Sequence, residues 1–169
     1  MDLTLIPRNI RNGEYQMWLP VSSGNNQETR FLEPDKEFTL TIPSTAENVI
    51  SAGAYDVRYQ SYADFSGRGD QRYGVKKPDL VAPGVGILAA APGGGENSLS
   101  GTSMATPFVT GSAALLMEWG IIRKNDPYLY GERIKAYFHK GARKMNGFWD
   151  YPNNEIGYGK LCVAASLYK

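Results

Sequence analysis

A chain of 169 residues with 42% hydrophobic and 21% charged residues is long enough to form a domain with a substantial core. Its net charge of +1 gives no electrostatic basis for binding nucleic acid or an anionic membrane surface. The longest apolar stretch, residues 113–117, is far too short to cross a bilayer. The only cysteine, Cys162, excludes an internal disulfide and is flanked by apolar residues, which indicates a small buried side chain.

The first 41 residues predict β-strands. Residues 14–20 (EYQMWLP) and 37–42 (EFTLTI) carry aromatic and β-branched residues in near-alternation. A polar stretch, SSGNNQ at residues 22–27, lies between them, and a Pro-Asp pair at 34–35 is typical of a turn. This pattern favours strands of a β-sandwich.

The next part of the chain predicts short buried strands. Residues 48–54, 79–82 and 85–90 are apolar without strict alternation, as in a sheet that is covered on both faces. A Pro-Gly turn at residues 83–84 separates the last two.

The second half predicts helices. Residues 103–119 are apolar on nearly all sides, which predicts a buried helix that ends at Gly120. Further helices are expected over residues 126–130 and 131–140, and a short one follows the turn at 157–161. Strands followed by helices in this arrangement indicate an α/β fold.

Ser103 is the candidate nucleophile. It follows a Gly-rich loop and directly precedes the apolar helix, in the run GTSMATP at residues 101–107. A helix N-terminus offers unpaired N–H groups, which stabilise the negative charge of an acyl-transfer transition state. Ser is also common as an N-cap residue, so the local pattern alone leaves both interpretations open.

Several segments resemble those of the subtilase family of serine proteases and occur in the same order along the chain. One position departs from the family pattern: Phe108 stands where many members have a His, which is not part of the catalytic triad. The resemblance covers residues 48–160. Its segments are VISAGA at 49–54, FSGRG at 65–69, KKPDLVAPG at 76–84, SGTSMATP at 100–107, VTG at 109–111 and GYG at 157–159.

This resemblance implies the fold and the domain organisation. Residues 42–169 would form the C-terminal half of a subtilisin-like parallel-sheet domain. Residues 1–41 would be the end of an inserted jelly-roll sandwich, similar to that of clostridial germination-type subtilases.

The resemblance also implies the chemistry. Ser103 would attack a peptide carbonyl and form an acyl-enzyme, while its backbone N–H and the Thr102 hydroxyl stabilise the oxyanion. The triad Asp and His and the oxyanion Asn precede these segments in the family, and their motifs do not occur here. The isolated chain is therefore expected to be inactive without the missing N-terminal half of the catalytic domain.

The only histidine, His139, is not predicted to act as the base. It lies in a segment that resembles the late surface helix of the family, remote from the nucleophile. A solvated role, or one at the helix C-terminus, is expected. A pairing with Asp126 or Glu132 remains open.

Pro43 corresponds to a cis proline that lies beside the specificity pocket in well-studied subtilisins. We therefore predict a cis peptide bond between Ile42 and Pro43. Pro43 and Ser44 are assigned by the same resemblance to a loop of the substrate pocket.

The resemblance further implies a weak site for calcium or a monovalent cation. Asp79 would supply a carboxylate, and Ser44, Ala46 and Val49 would supply further oxygens, which hard cations favour. The alternative is that Asp79 caps a turn. No cofactor is expected to be required.

As a subtilase, the protein would act on protein or peptide substrates in a secreted or spore-associated setting. The alternative is a non-catalytic pseudoprotease module that docks a partner. Because the sheet would lack its other half and expose apolar surface, self-association through edge pairing or exchange of residues 1–41 is also predicted.

Overall fold

The computed structural model describes residues 4, 6–19, 29–70 and 74–167. The chain divides into two compact units, Met1–Pro34 and Asp35–Lys169, and the helices and strands assigned in the described residues belong to the second. The strands are β1 (Ala52–Asp56), β2 (Ser61–Tyr62), β3 (Leu80–Pro83), β4 (Ile87–Ala90) and β5 (Glu96–Leu99). The helices are α1 (Thr102–Met117), α2 (Gly131–Gly141) and α3 (Val163–Leu167).

The strands predicted over residues 14–20 and 37–42 are wrong wherever the structure describes these residues. Residues 14–19 and 37–42 have irregular backbone, and Pro20 lies outside the described part. In the second segment, the N–H groups of Phe38 and Thr39 donate to the carbonyls of Gly69 and Arg68, both at 3.0 Å, without forming a strand. Alternating side chains make a strand possible, but a strand persists only where a neighbour pairs with its backbone.

The central sheet contains the predicted parallel pair. β1 lies parallel to β3, with Ala52 opposite Leu80 and Ala54 opposite Ala82, and β2 pairs antiparallel with the other edge of β1. The strands predicted at 48–54 and 79–82 therefore form at 52–56 and 80–83. The α/β fold class is confirmed.

The core lies on both faces of this sheet, because successive residues of β3 point to opposite sides. On one face, α1 packs against β1 and β3. The buried residues on that side are Ala54, Ala63, Leu80, Ala82, Ala105, Val109, Leu116, Leu129, Ile134 and Phe138. On the other face, Val81 packs with Met145 and Ile156.

β4 and β5 form a separate antiparallel hairpin. The strand predicted over residues 85–90 is present as β4, but it is largely exposed and not part of a covered sheet. Its partner β5 was missed because Glu-Asn-Ser-Leu has no apolar alternation. The turn contains Gly93, Gly94 and Gly95 at φ 84°, 99° and 79°, a conformation that glycine adopts without strain.

Helix α1 forms as predicted, but it is buried on one face only. Ala105, Val109, Ser112 and Leu116 are buried, whereas other apolar side chains remain exposed. The helix does not end at Gly120: it continues through a π-helical turn, Glu118–Ile122. Judged by length and composition alone, the helix over Thr102–Ile122 could cross a membrane. The packing of α1 against β1 and β3 favours a core helix instead.

The helix predicted over residues 126–130 is wrong. These residues form a turn in which the Leu129 N–H donates to the Asp126 carbonyl at 3.1 Å. The side chain of Asp126 is buried and accepts from Arg133 at 2.5 Å and from the Tyr137 hydroxyl at 3.0 Å, both on α2. The helices α2 and α3 form where they were predicted.

Candidate active site

Ser103 lies in the first turn of α1, at the C-terminal end of β3. The Gly101 N–H donates to the carbonyl of Gly84, directly after β3, at 2.8 Å. This bond fixes the start of the helix to the end of the strand. The Ser103 side chain is exposed there, so its hydroxyl is accessible to a substrate.

The N-cap of α1 is Gly101 and has no side-chain hydrogen bond, so Ser103 is not the capping residue. The N–H groups of Met104 and Ala105 both donate to the Gly101 carbonyl, at 3.0 and 3.3 Å. The N–H of Ser103 belongs to the first turn, where a helix provides no carbonyl partner four residues earlier. The Thr102 carbonyl accepts the Thr106 hydroxyl at 3.0 Å. The Ser103 hydroxyl and a backbone N–H donor therefore lie in the same turn.

Gly84 allows this close approach. A Cβ atom at position 84 would lie 2.5 Å from the Cβ of Ala54, 3.0 Å from the Gly101 carbonyl oxygen and 3.4 Å from the Cβ of Ala105. No side chain fits between β1, the Gly101 turn and α1. The Pro-Gly pair therefore determines how closely the Ser-bearing helix packs on the sheet.

The Ile42–Pro43 bond is cis, as predicted. Pro43 and Ser44 belong to a series of turns before β1, in which the Ser44 N–H donates to Thr41 O at 2.8 Å. The hydroxyls of Ser44 and Ser51 are hydrogen-bonded to each other. Ser51 immediately precedes β1, so this loop lies at the N-terminal end of the parallel strands.

Ser103 and the 43–44 loop are thus at opposite ends of the strands. The five steps from Asp79 to Gly84 span about 16 Å of extended chain. The structure does not bring Pro43 or Ser44 into contact with the nucleophile within the described residues, and the pocket assignment remains a prediction.

The predicted cation ligands do come together, but around lysine side chains. Asp79 is buried, and its Oδ2 accepts the Ser51 N–H at 2.7 Å. The carbonyls of Ala46 and Val49 accept from the Nζ of Lys77 at 2.8 and 3.1 Å. Ser44 is engaged elsewhere, with Ser51. These residues do not fit a metal ion, because the oxygens expected to bind it already accept from ammonium groups.

His139 lies in the last turn of α2, is largely shielded from solvent and is remote from Ser103. Its ring stacks on Tyr158 with centroids 3.7 Å apart and planes at 9°. Its buried Nε2 lies 3.3 Å from Asp79 Oδ1, without the alignment of a hydrogen bond. The carboxylate that lies beside His139 is therefore that of Asp79, and not that of Asp126 or Glu132, which the sequence had left open. Because Asp79 precedes β3, His139 lies at the strand end opposite Ser103.

Sequence reasoning missed Lys77, Lys135 and Tyr158 as members of the Asp79 cluster. Lys77 is next but one to Asp79 in the chain, yet a Lys-Lys-Pro-Asp run gives no sign that one lysine is buried. Lys135 and Tyr158 come from distant segments. No local signal in the sequence identifies either of them.

The chain has relatives among characterised proteins. It is 33% identical over 154 residues to serine protease AprX of Bacillus subtilis, which covers 79% of this chain and 33% of that protein. It is 42% identical over 106 residues to subtilisin-like protease 1 of Trichophyton equinum, covering 62% of this chain and 18% of the relative. The chain thus spans a third or less of the length of these relatives.

Solved structures have the same fold. The Clostridium perfringens CspB protease superposes with a TM-score of 0.79 at 50% identity, covering 85% of this chain and 31% of that one. The prenylagaramide maturation protease PagA superposes with a TM-score of 0.65 at 34% identity, covering 79% of this chain and 46% of the other. The sequence model of the subtilase family matches residues 8–159. With this match over most of its length, the chain belongs to the subtilase family, as its Gly-Thr-Ser helix start indicates.

Proposed function

We propose that Ser103 is the nucleophile of a subtilisin-like serine endopeptidase that hydrolyses peptide bonds through an acyl-enzyme. The observation that supports this most directly is the exposed Ser103 side chain in the first turn of α1, where a helix leaves N–H groups free to bind an oxyanion. The Thr102 hydroxyl is proposed as an auxiliary donor. Proteins or peptides are the substrates, as membership of a protease family implies.

A serine hydroxyl needs a base that accepts its proton as the C–O bond of the acyl-enzyme forms. The sequence contains one histidine, and His139 lies against Asp79 at the opposite end of β3. We therefore propose that the base, its orienting carboxylate and the oxyanion amide are supplied by residues outside these 169. This chain would then be the Ser-bearing part of a longer catalytic domain.

Labelling with a fluorophosphonate, which reacts with activated serines, tests this proposal. The 169-residue chain alone is expected to remain unlabelled, because loss of triad members lowers reactivity by several orders of magnitude. A longer product that includes the upstream coding sequence is expected to be labelled at Ser103. Ser103→Ala should abolish that labelling, whereas Ser98→Ala on the exposed strand β5 should not.

Two results would contradict the proposal. Labelling of Ser103 in the chain alone would show that the 169 residues contain their own base. An unlabelled but folded longer product would instead favour the second candidate, a non-catalytic module that docks a partner. The exposed apolar side of α1 is the observation that supports this second candidate.

A further inference from the structure

The segment before β1 is held by two ammonium groups that share their acceptors. Lys77 Nζ lies 2.8 Å from Ala46 O, 3.1 Å from Val49 O and 3.4 Å from Asp79 Oδ2. Lys135 Nζ lies 2.8 Å from Glu47 O, 3.2 Å from Val49 O and 2.9 Å from Asp79 Oδ1. We infer that Lys77 and Lys135 together replace a metal ion at this position and fix residues 46–51 without a bound cation.

Each ammonium group is surrounded by oxygen atoms in this cluster. A lysine has three N–H donors and no acceptor, and each Nζ has three oxygen atoms within 3.4 Å. The side chains of Lys77, Lys135 and Asp79 are 11%, 19% and 5% exposed. Ammonium groups removed from water to this extent persist only when acceptors replace their hydration. The three carbonyl oxygens and the carboxylate do so here.

The charge of the cluster opposes an additional cation. Two ammonium groups face one carboxylate, and the imidazole of His139 lies on the same carboxylate. An incoming metal ion would meet two positive charges in contact with the oxygens that it needs. It would bind only by displacing both lysines from partly buried positions.

The two lysines come from different elements and so join three parts of the fold. Lys77 lies three positions before the first residue of β3, and Lys135 lies in α2. Both reach the carbonyl of Val49, across 28 and 86 positions of sequence. An ion would bridge only the oxygens around it, whereas each lysine is part of another segment and ties the loop to that segment through its hydrogen bonds.

Hydrogen–deuterium exchange of a peptide covering residues 44–51 tests the inference in the purified protein. The exchange of this peptide is expected to be equally slow in chelator, in millimolar calcium and in potassium. The readout is local, so cations bound elsewhere do not affect it. Slower exchange on addition of either cation would overturn the inference.

Substitutions provide the second arm. Lys77→Met and Lys135→Met keep the aliphatic stem but remove the charge, so the 44–51 peptide should exchange at least about tenfold faster. The same loss should lower the melting temperature by at least about 4 °C. Lys135→Arg, which retains a charged donor, should stay closer to wild type than Lys135→Met. Lys140→Met, at an exposed position of the same helix, is the matched control.

Wild-type exchange in both methionine variants would overturn the inference, because it would show that the lysines do not hold the segment. If a methionine variant does not fold, the cation titration of the wild-type protein decides alone. None of these outcomes depends on whether the protein cleaves peptides, so this inference and the proposed function fail separately.

Discussion

At the scale of single residues, the carboxylate of Asp79 connects segments that are far apart in the sequence. Burial by itself raises the pKa of Asp79, but the contacts from His139, the Ser51 N–H, Lys135 and Lys77 lower it and prevail. The pKa falls from 3.8 to about 2. The ionised form is thus the one that the folded structure stabilises.

This shift predicts a loss of stability in acid. Because the pKa of Asp79 is lower in the folded than in the unfolded chain, its contribution is fully present above about pH 4. It is lost as the pH falls through the folded pKa of about 2, and amounts to at most about 2.5 kcal/mol. Denaturant unfolding of wild type and Asp79→Asn across this range measures it. The wild-type free energy of unfolding should fall more steeply than that of the variant, and parallel curves would contradict the prediction.

The residues of the site differ in how far the sequence could predict them. Ser103 lies within a contiguous motif, and the structure shows how Gly84 and Gly101 place it at the helix start. Asp79, Ala46 and Val49 were correctly expected to meet. The lysines beside them were not predicted, since Lys135 lies 86 positions from Val49 and only tertiary packing brings its charge there.

At the scale of elements, the packing of α1 on β1 and β3 depends on small residues at the contact. Gly84 faces Ala54 and Ala105 with no space for a further methyl group. Gly111, in the same helix, has open space where its Cβ would be. The two glycines therefore predict opposite effects of the same substitution.

Gly84→Ala is expected to destabilise the protein by about 1–3 kcal/mol, because the helix must move away from the sheet. Gly111→Ala should leave stability unchanged or raise it by about 0.5–1 kcal/mol, since alanine favours an exposed helical position. Urea unfolding of both variants measures the difference. Equal effects at both positions would show that α1 does not pack against Gly84 as described.

Local sequence patterns correctly predicted the elements whose apolar residues pack in the core. β1, β3, α1 and α2 formed near their expected bounds, and their apolar residues contribute to the core. The polar strand β5 is determined by pairing with β4 and was missed. Residues 14–19 have a strand-like pattern and no strand in the described structure, because side-chain alternation does not supply a partner.

At the scale of the whole molecule, one side of α1 has no cover among the described residues. Phe108, Leu115 and Ile122 are 42%, 54% and 73% exposed. Phe108 and Leu115 are seven positions apart and so lie on one stripe of α1, and Ile122 follows in the π-helical turn. The apolar composition of this segment predicted a helix that is covered on all sides, whereas only one face is buried in the described structure. The chain spans about a third of the length of AprX and of CspB.

The uncovered stripe predicts that the 169-residue chain self-associates, because monomers seldom expose contiguous apolar surface. Light scattering over a concentration series should show the apparent mass rising above that of an 18.6 kDa monomer. Leu115→Glu places a charge in the stripe and should weaken the association, whereas Thr110→Glu, at an exposed position on another side of α1, should not. A longer product that covers the helix should lose the concentration dependence. A monomer at all concentrations would contradict the prediction and show that the described fold tolerates its exposed apolar side.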